Sequence, residues 1–259
     1  ELKKLDDRIR LIFCPTEYWG VNGTSYHTEI AQLPEGILVF WTGPQICSRE
    51  IRSADSAKIA EAFGRRLLIW DNYPVNDYDR KRLHINAVRN RDRDLPETCL
   101  GMLTNPMSEA EASKVAIFTY GEYLWDPVNY DPETSLERAL TYVFGIEALP
   151  LVQTLADSLV DFFFDPDERT SWIRDALEGG DDVDLEILLR KFDDIAKTGD
   201  LICTLENEQL VGEIEPYVRK VSEIGALGRL YIQRELINRK IGRNESKVFS
   251  EKLLELLTS

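Results

Sequence analysis

The strongest constraint on the fold is a strand that stops abruptly. Leu67-Leu68-Ile69 is an apolar run, and it gives way at once to Trp70-Asp71-Asn72-Tyr73-Pro74-Val75-Asn76-Asp77-Tyr78. A run without polar alternation predicts a strand covered on both faces, as in a parallel sheet between helices. Its sudden change to aromatics, amides and a carboxylate predicts a barrel strand that delivers polar side chains at its C-terminal end. The change recurs along the first 145 residues. Ile9–Cys14 leads into Pro15-Thr16-Glu17-Tyr18-Trp19-Gly20, Gly36–Trp41 into Thr42-Gly43-Pro44, and Leu100–Leu103 into Thr104-Asn105-Pro106.

Helical signals lie between these strands. Tyr26–Ala31 reads as a short helix. Ser53–Phe63 reads as a longer one, with Ser53 as N-cap and Gly64 as terminator. Glu109–Tyr123 places Ala112, Val115, Ala116, Thr119 and Tyr120 at helical spacing. Strands alternating with helices imply a parallel α/β architecture. A closed eight-stranded barrel needs about 250 residues, and only four units are present here. The region is either a small open sheet or the second half of a barrel. From Ile146 the strand signal stops. The spacing predicts helices over 149–164, 167–177, 185–195, 205–224, 226–241 and 245–257, an antiparallel bundle. The expected domains are therefore 1–145 and 146–259, with the Trp125-Asp126-Pro127 turn ending the last barrel helix.

Net charge is −15, and the acidic excess is heavier in the C-terminal half. Such a surface repels polyphosphate, which argues against nucleic-acid binding. No apolar run approaches the roughly 20 residues of a membrane span, and the N-terminus has no signal-peptide pattern. Glu1–Arg8 reads like an amphipathic helix cut into rather than begun. Cys14, Cys47, Cys99 and Cys203 form no CxxC pair. That pattern favours free, buried thiols in a reducing, cytoplasmic compartment. Two histidines, His27 and His84, leave little material for a metal site or a Ser-His-Asp triad, so no metal or cofactor is expected.

The strand ends supply Tyr18, Thr42, Trp70, Asn72, Asp77 and Asn105. On a parallel barrel these converge on one rim. A carboxylate accepts sugar hydroxyls, amides both donate and accept, and an indole covers an apolar ring face. Asn72 and Asn105 also suit turns and helix caps, since Asn-Tyr-Pro and Thr-Asn-Pro are turn-forming. The case for a sugar site rests on the recurrence. The pairs Asp6-Asp7, Asp181-Asp182 and Asp193-Asp194 do not follow strands and read as solvated helix faces.

Trp41-Thr42-Gly43-Pro44, Ile69–Tyr78 and Leu103-Thr104-Asn105-Pro106-Met107, with Glu111-Ala112-Ser113-Lys114 and Pro15-Thr16-Glu17-Tyr18, together resemble glycoside hydrolase family 84. These are β-N-acetylglucosaminidases, the O-GlcNAcases among them. The resemblance spans about residues 9–145 and implies the second half of a (β/α)₈ TIM barrel followed by an all-α bundle. It implies a retaining, substrate-assisted hydrolysis of terminal β-linked N-acetylglucosamine, in which the substrate's 2-acetamido oxygen attacks its own anomeric carbon. Tyr18 would bind near the acetamido and anomeric region, and Trp70 would wall the acetamido pocket. Asn72 would hold a polar group of the sugar, Asp77 its 4- and 6-hydroxyls, and Asn105 its ring hydroxyls.

The family's Asp-Asp acid/base pair has no counterpart here and is expected upstream of Glu1. Ile85-Asn86-Ala87 also stands where the family usually has Leu-Gly-Pro. The expected partner is an N-acetylglucosamine-bearing glycoprotein or glycoconjugate, with no membrane and no nucleic acid. The resemblance also implies helices of the bundle pairing between two copies. The alternative is a non-catalytic N-acetylglucosamine-binding or scaffold protein.

Overall fold

The computed structural model describes residues 2–6, 8–164, 166–178 and 182–240. In chain order it contains α1 (Leu2–Leu5), β1 (Ile12–Phe13), α2 (Ser25–Ile30), β2 (Leu38–Trp41), α3 (Ser53–Ala62), β3 (Leu67–Pro74), α4 (Leu95–Thr98), β4 (Cys99–Asn105) and α5 (Ala110–Trp125). Then come α6 (Pro132–Phe144), α7 (Leu149–Ser158), α8 (Pro166–Glu178), α9 (Asp182–Lys197), a 3₁₀ turn (Thr198–Asp200), α10 (Leu201–Thr204) and α11 (Glu208–Lys240). Contacts group the described residues of Glu1–Val75, Ala87–Met107 and Ala116–Ser135 into one unit. Those of Asn76–Asn86, Ser108–Val115 and Leu136–Ser259 form a second.

The first unit is built on one sheet in the order β1-β2-β3-β4, every pair parallel. Alternation along each strand separates two faces. One face carries Val39, Trp41, Leu67 and Ile69, which pack with Ile30 of α2, Ile59 of α3, Phe63 and Leu95 into the core. Paired residues of the other face include Phe40 with Leu68, and Trp70 with Leu103. On that face Ile12, Trp70 and Leu103 are 43%, 37% and 46% exposed. β1 and β4 are its edges, and among the described residues neither gains a further strand.

β1 is shorter than the predicted Ile9–Cys14. As an edge strand it pairs on one side only, Ile12 with Leu38 and Phe13 with Val39. β3 runs past Trp70 to Pro74, so Asn72 belongs to a strand, not a turn. Ser53 is not the N-cap of α3; Arg52 holds that position and makes no side-chain cap. The Ser53 N–H and hydroxyl instead donate to the Asp92 carboxylate at 2.9 and 3.2 Å. A bridge between Ile51 and Arg91 brings Asp92 there, so the helix start is satisfied from a distant segment. α2 is capped by Thr24, and His27 supplies the reciprocal hydrogen bond.

The helices after β4 depart from the expected bundle, and the 3₁₀ turn and α10 stand between two expected helices where none is predicted. α6 was not expected, although Asp131-Pro132 is a start signal: proline opens the first turn and Asp131 Oδ1 accepts the Thr134 N–H at 2.8 Å. α7 ends at Ser158, short of the expected Phe164. The helices expected over 205–224 and 226–241 are one helix through residue 240, α11. The helix expected at 245–257 lies outside the described residues. Ile173 and Leu177 of α8, Leu185, Leu188 and Phe192 of α9, and Tyr231 and Ile232 of α11 form the second unit's core. Among the described residues no single helix is long and apolar enough to cross a membrane. α6 and α7 pass that test only together, and they bend by 119° at their junction.

Gly225 reads as a break in the sequence but is a close-approach site in the structure. A Cβ there would lie 2.3 Å from the Ala196 backbone nitrogen of α9. Replacing a helical glycine by alanine normally stabilises by about 0.5–1 kcal/mol. Gly212→Ala, with open space around it, should show that gain in urea unfolding. Gly225→Ala should instead destabilise by about 1–3 kcal/mol, because rigid backbone must shift. Equal effects at the two positions would refute the tight α9–α11 packing.

Candidate functional site

Three of the residues singled out from the sequence meet at the C-terminal ends of β3 and β4. The Asn72 carboxamide oxygen accepts Trp70 Nε1–H and Asn105 Nδ2–H, each at 2.9 Å. Asn72 Nδ2 in turn donates to the Ile46 carbonyl at 2.8 Å. Strand alternation puts Trp70 and Asn72 on the same open face, and the β3–β4 register brings Asn105 beside them. Among the described residues the Asn105 side chain bonds to Asn72 and caps no helix. The Trp70 ring meets Phe40 edge-on, centroids 5.1 Å apart, and leaves part of its surface open. By donor count, one N–H of Asn72 and one N–H plus the carbonyl oxygen of Asn105 remain for a ligand.

Tyr18 is half-buried, and its segment runs beside the end of β2. Its carbonyl accepts the Thr42 N–H at 2.8 Å, and Gly20 N–H donates to the Gly43 carbonyl at 2.9 Å. Gly43 is required at this corner. It has a φ of +102°, and a Cβ would lie 2.3 Å from Ser48 Oγ. That hydroxyl shares its one proton between the Thr42 and Gln45 carbonyls, 3.0 and 2.9 Å away, and accepts the Gln45 N–H at 3.0 Å, which shapes the loop leading to Ile46.

Beneath this group lies an ion pair that sequence reasoning missed. Asp71 and Arg91 side chains are each 1% exposed. Arg91 Nε and Nη2 reach the two Asp71 oxygens at 2.7 and 2.6 Å, and the Tyr120 hydroxyl donates to Asp71 at 2.5 Å. The remaining guanidinium hydrogens go to the carbonyls of Ser48, Arg49 and Arg89, each at 3.0 Å. Asp71 raises the pKa of Arg91 against the cost of burial. Burial and the Asp71 charge push the Tyr120 hydroxyl well up, so it stays a proton donor. Asp71 stood in the signature stretch, but its partners lie 20 and 49 residues away and no local spacing reveals them.

Asp77 belongs to the second unit. Its side chain is exposed and makes no hydrogen bond or ion pair among the described residues. The structure gives the neighbouring loop a firm frame. Buried Asn76 donates to the Arg82 carbonyl at 2.8 Å and to Glu109 Oε2 at 3.2 Å. Tyr78 Oη lies 3.0 Å from His84 Nε2, and Phe162 packs edge-on against that imidazole. Burial, then the Arg82 charge, lower the His84 pKa to about 4, partly opposed by Asp79. Among the described residues no group of three His, Cys, Asp or Glu side chains is placed to hold a metal. Among the described residues the four cysteines form no disulfide, and only Cys99 is buried; Cys14 and Cys203 are exposed and Cys47 is intermediate. Cys14 follows the edge strand β1 and Cys203 sits on the one-turn helix α10.

Comparison with known proteins agrees with this architecture. The family model described as beta-N-acetylglucosaminidase matches residues 1–163. The chain is 38% identical over 125 residues to the protein O-GlcNAcases of Rattus norvegicus and Mus musculus, which is 46% of this chain and 14% of each of those proteins. A mutant of the Thermobaculum terrenum O-GlcNAc hydrolase superposes with a TM-score of 0.80 at 26% identity, covering 99% of this chain and 56% of that one. The structure of CpGH84B superposes with a TM-score of 0.84 at 28% identity, covering 97% and 48%. The chain thus spans about half the length of these structures and a small part of the rodent proteins. The parallel sheet and the helices after it are part of a (β/α) barrel and a helical bundle, as in these neighbours. The chain belongs to the β-N-acetylglucosaminidase family, glycoside hydrolase family 84.

Two stability measurements test the frame. Asp71→Ala leaves a buried guanidinium unpaired and should cost about 3–5 kcal/mol in denaturant unfolding; a loss below about 1 kcal/mol would show the pair to be dispensable. His84 is held neutral in the fold, with its pKa near 4, and takes a proton more readily when unfolded. Stability should therefore fall as pH drops from about 6.5 to about 4, by up to about 3 kcal/mol. His84→Gln should remove that component, so the wild-type advantage shrinks across the window. An advantage independent of pH would refute it.

Proposed function

We propose that this chain forms the sugar-binding wall of a retaining, substrate-assisted β-N-acetylglucosaminidase acting on terminal β-linked N-acetylglucosamine of glycoproteins. In this reading residues 1–145 are barrel and 146–259 the bundle that follows it. The observation that carries the reading is the hydrogen-bonded group of Trp70, Asn72 and Asn105 at the ends of two adjacent parallel strands. It offers an indole face and spare amide donors and acceptors in one place. That combination suits a pyranose, which presents an apolar ring face and a belt of hydroxyls. Family membership supports the same substrate class.

The roles divide by chemistry. The partly open Trp70 ring walls the pocket for the acetamido methyl, where excluding water strengthens the polar contacts around it. Asn72, its oxygen already engaged, offers its remaining N–H to a sugar oxygen near that pocket. Asn105 uses its free amide groups on the ring hydroxyls. Asp77, exposed and without an internal partner, accepts the 4- and 6-hydroxyls as two charge-assisted hydrogen bonds. Tyr18 bonds near the acetamido and anomeric region. The proton work is assigned to an Asp-Asp pair in the complementary part of the barrel, the part of the structural neighbours that this chain does not match. One carboxyl polarises the acetamido group, and the other serves as general acid and then base.

The test joins both parts of the barrel in one protein and measures hydrolysis of an aryl N-acetylglucosaminide. Asp77→Ala should lower kcat/KM by about 2–5 kcal/mol of transition-state stabilisation, since two charged hydrogen bonds are lost. An unchanged kcat/KM would overturn the assignment of Asp77. Absence of hydrolysis in the joined protein, with N-acetylglucosamine still bound, would favour a binding protein instead.

A further inference from the structure

A groove of about 690 Å³ opens within the second unit. One wall is α11, where Glu213, Tyr217 and Lys220 share a face at helical spacing. The opposite walls are Arg80 and Lys81, from the loop after Asp77, and Ser108-Glu109 before α5.

The charges in this groove are divided unequally. Both carboxylates are engaged from inside. Glu213 Oε2 accepts the Glu111 and Ala112 N–H groups at the start of α5, at 2.8 and 3.0 Å, and its Oε1 accepts Gln209 at 3.1 Å. Glu109 Oε1 shares the Tyr217 hydroxyl, at 3.2 Å, with the Arg80 carbonyl at 3.0 Å, and its Oε2 accepts Asn76 at 3.2 Å and Ser108 at 3.4 Å. The side chains of Arg80, Lys81 and Lys220 are exposed, and none makes a hydrogen bond or salt bridge among the described residues. A protein of net charge −15 thus lines one cleft with three cations that make no salt bridge among the described residues, Lys81 feeling the charge of Asp79 beside it, while the cleft's own acids are engaged from inside.

We propose that this groove binds an acidic stretch of polypeptide. Its volume falls in the range of organic-ligand clefts and far exceeds a single phosphate. The cations stand on two segments, Arg80 and Lys81 on one loop and Lys220 on α11, and suit carboxylates spaced along an extended chain better than one compact anion. Nucleic acid is disfavoured twice over: the overall charge repels a polyphosphate, and the Tyr217 ring is 9% exposed, too enclosed to stack a base. None of the groove's residues is among those assigned to the sugar, although Asn76, which precedes Asp77, donates to the Glu109 wall.

The test is fluorescence anisotropy with this 259-residue chain and a labelled Glu-rich peptide. The peptide should bind, more weakly as salt is raised, and its Gln counterpart should not. Lys81→Ala with Lys220→Ala should weaken binding about three- to tenfold. Replacing both lysines by arginine should keep it, and Lys58→Ala, outside the groove, should leave it unchanged. Equal binding of the Gln peptide, no effect of the double alanine variant, or tighter binding of a single-stranded oligonucleotide would each overturn the proposal. So would displacement of the peptide by inorganic phosphate at concentrations equal to those of unlabelled peptide.

Discussion

The buried Asp71–Arg91 pair is the interaction on which the candidate site rests. A guanidinium removed from water is costly unless every hydrogen finds an acceptor. Arg91 meets that condition by collecting the Asp71 carboxylate and three carbonyls from two loops. The result is a single knot that fixes the end of β3, the loop after β2 and the segment leading to Arg91. Asp71 and its neighbours Trp70 and Asn72 point to opposite faces of β3. Locking Asp71 on the helix-covered face therefore sets the orientation of the polar group on the open face. Tyr120 adds α5 to the same knot through its hydroxyl.

The sheet itself has a covered face and an open one. Burial of Val39, Trp41, Leu67 and Ile69 against α2 and α3 is the hydrophobic gain that holds the first unit together. Phe40, Leu68, Trp70 and Leu103 line the other side, which in a closed barrel would be interior. Four parallel strands with two edges leave that apolar side partly wet. The two solved structures compared above match nearly all of this chain and are about twice the matched length.

Much of this was legible in the sequence because it is local. Apolar runs ending in Thr-Gly-Pro, Trp-Asp-Asn and Thr-Asn-Pro mark strand ends, and of their polar side chains Trp70, Asn72 and Asn105 meet. The errors also have local causes. Gly225 looked like a helix break, yet it is the point where α11 presses on the α9 backbone. Ser53 looked like a cap, but its hydroxyl serves Asp92, which is 39 residues away. Cys14 and Cys203 were expected inside because cysteine is usually buried, and their exposure depends on which strand is an edge and which helix is short.

The sequence alone determined the periodicity of strands and helices, the polar chemistry of the strand ends and the family, because each is written in residues adjacent along the chain. Only the tertiary structure decided that Asn72 would be shared by Trp70 and Asn105, that Asp71 would be buried against Arg91, and that three cations would line one groove while its carboxylates were spent elsewhere. Those outcomes depend on pairing between segments tens of residues apart. Desolvation makes such pairings strong or costly, and no spacing along the chain encodes which partners will meet.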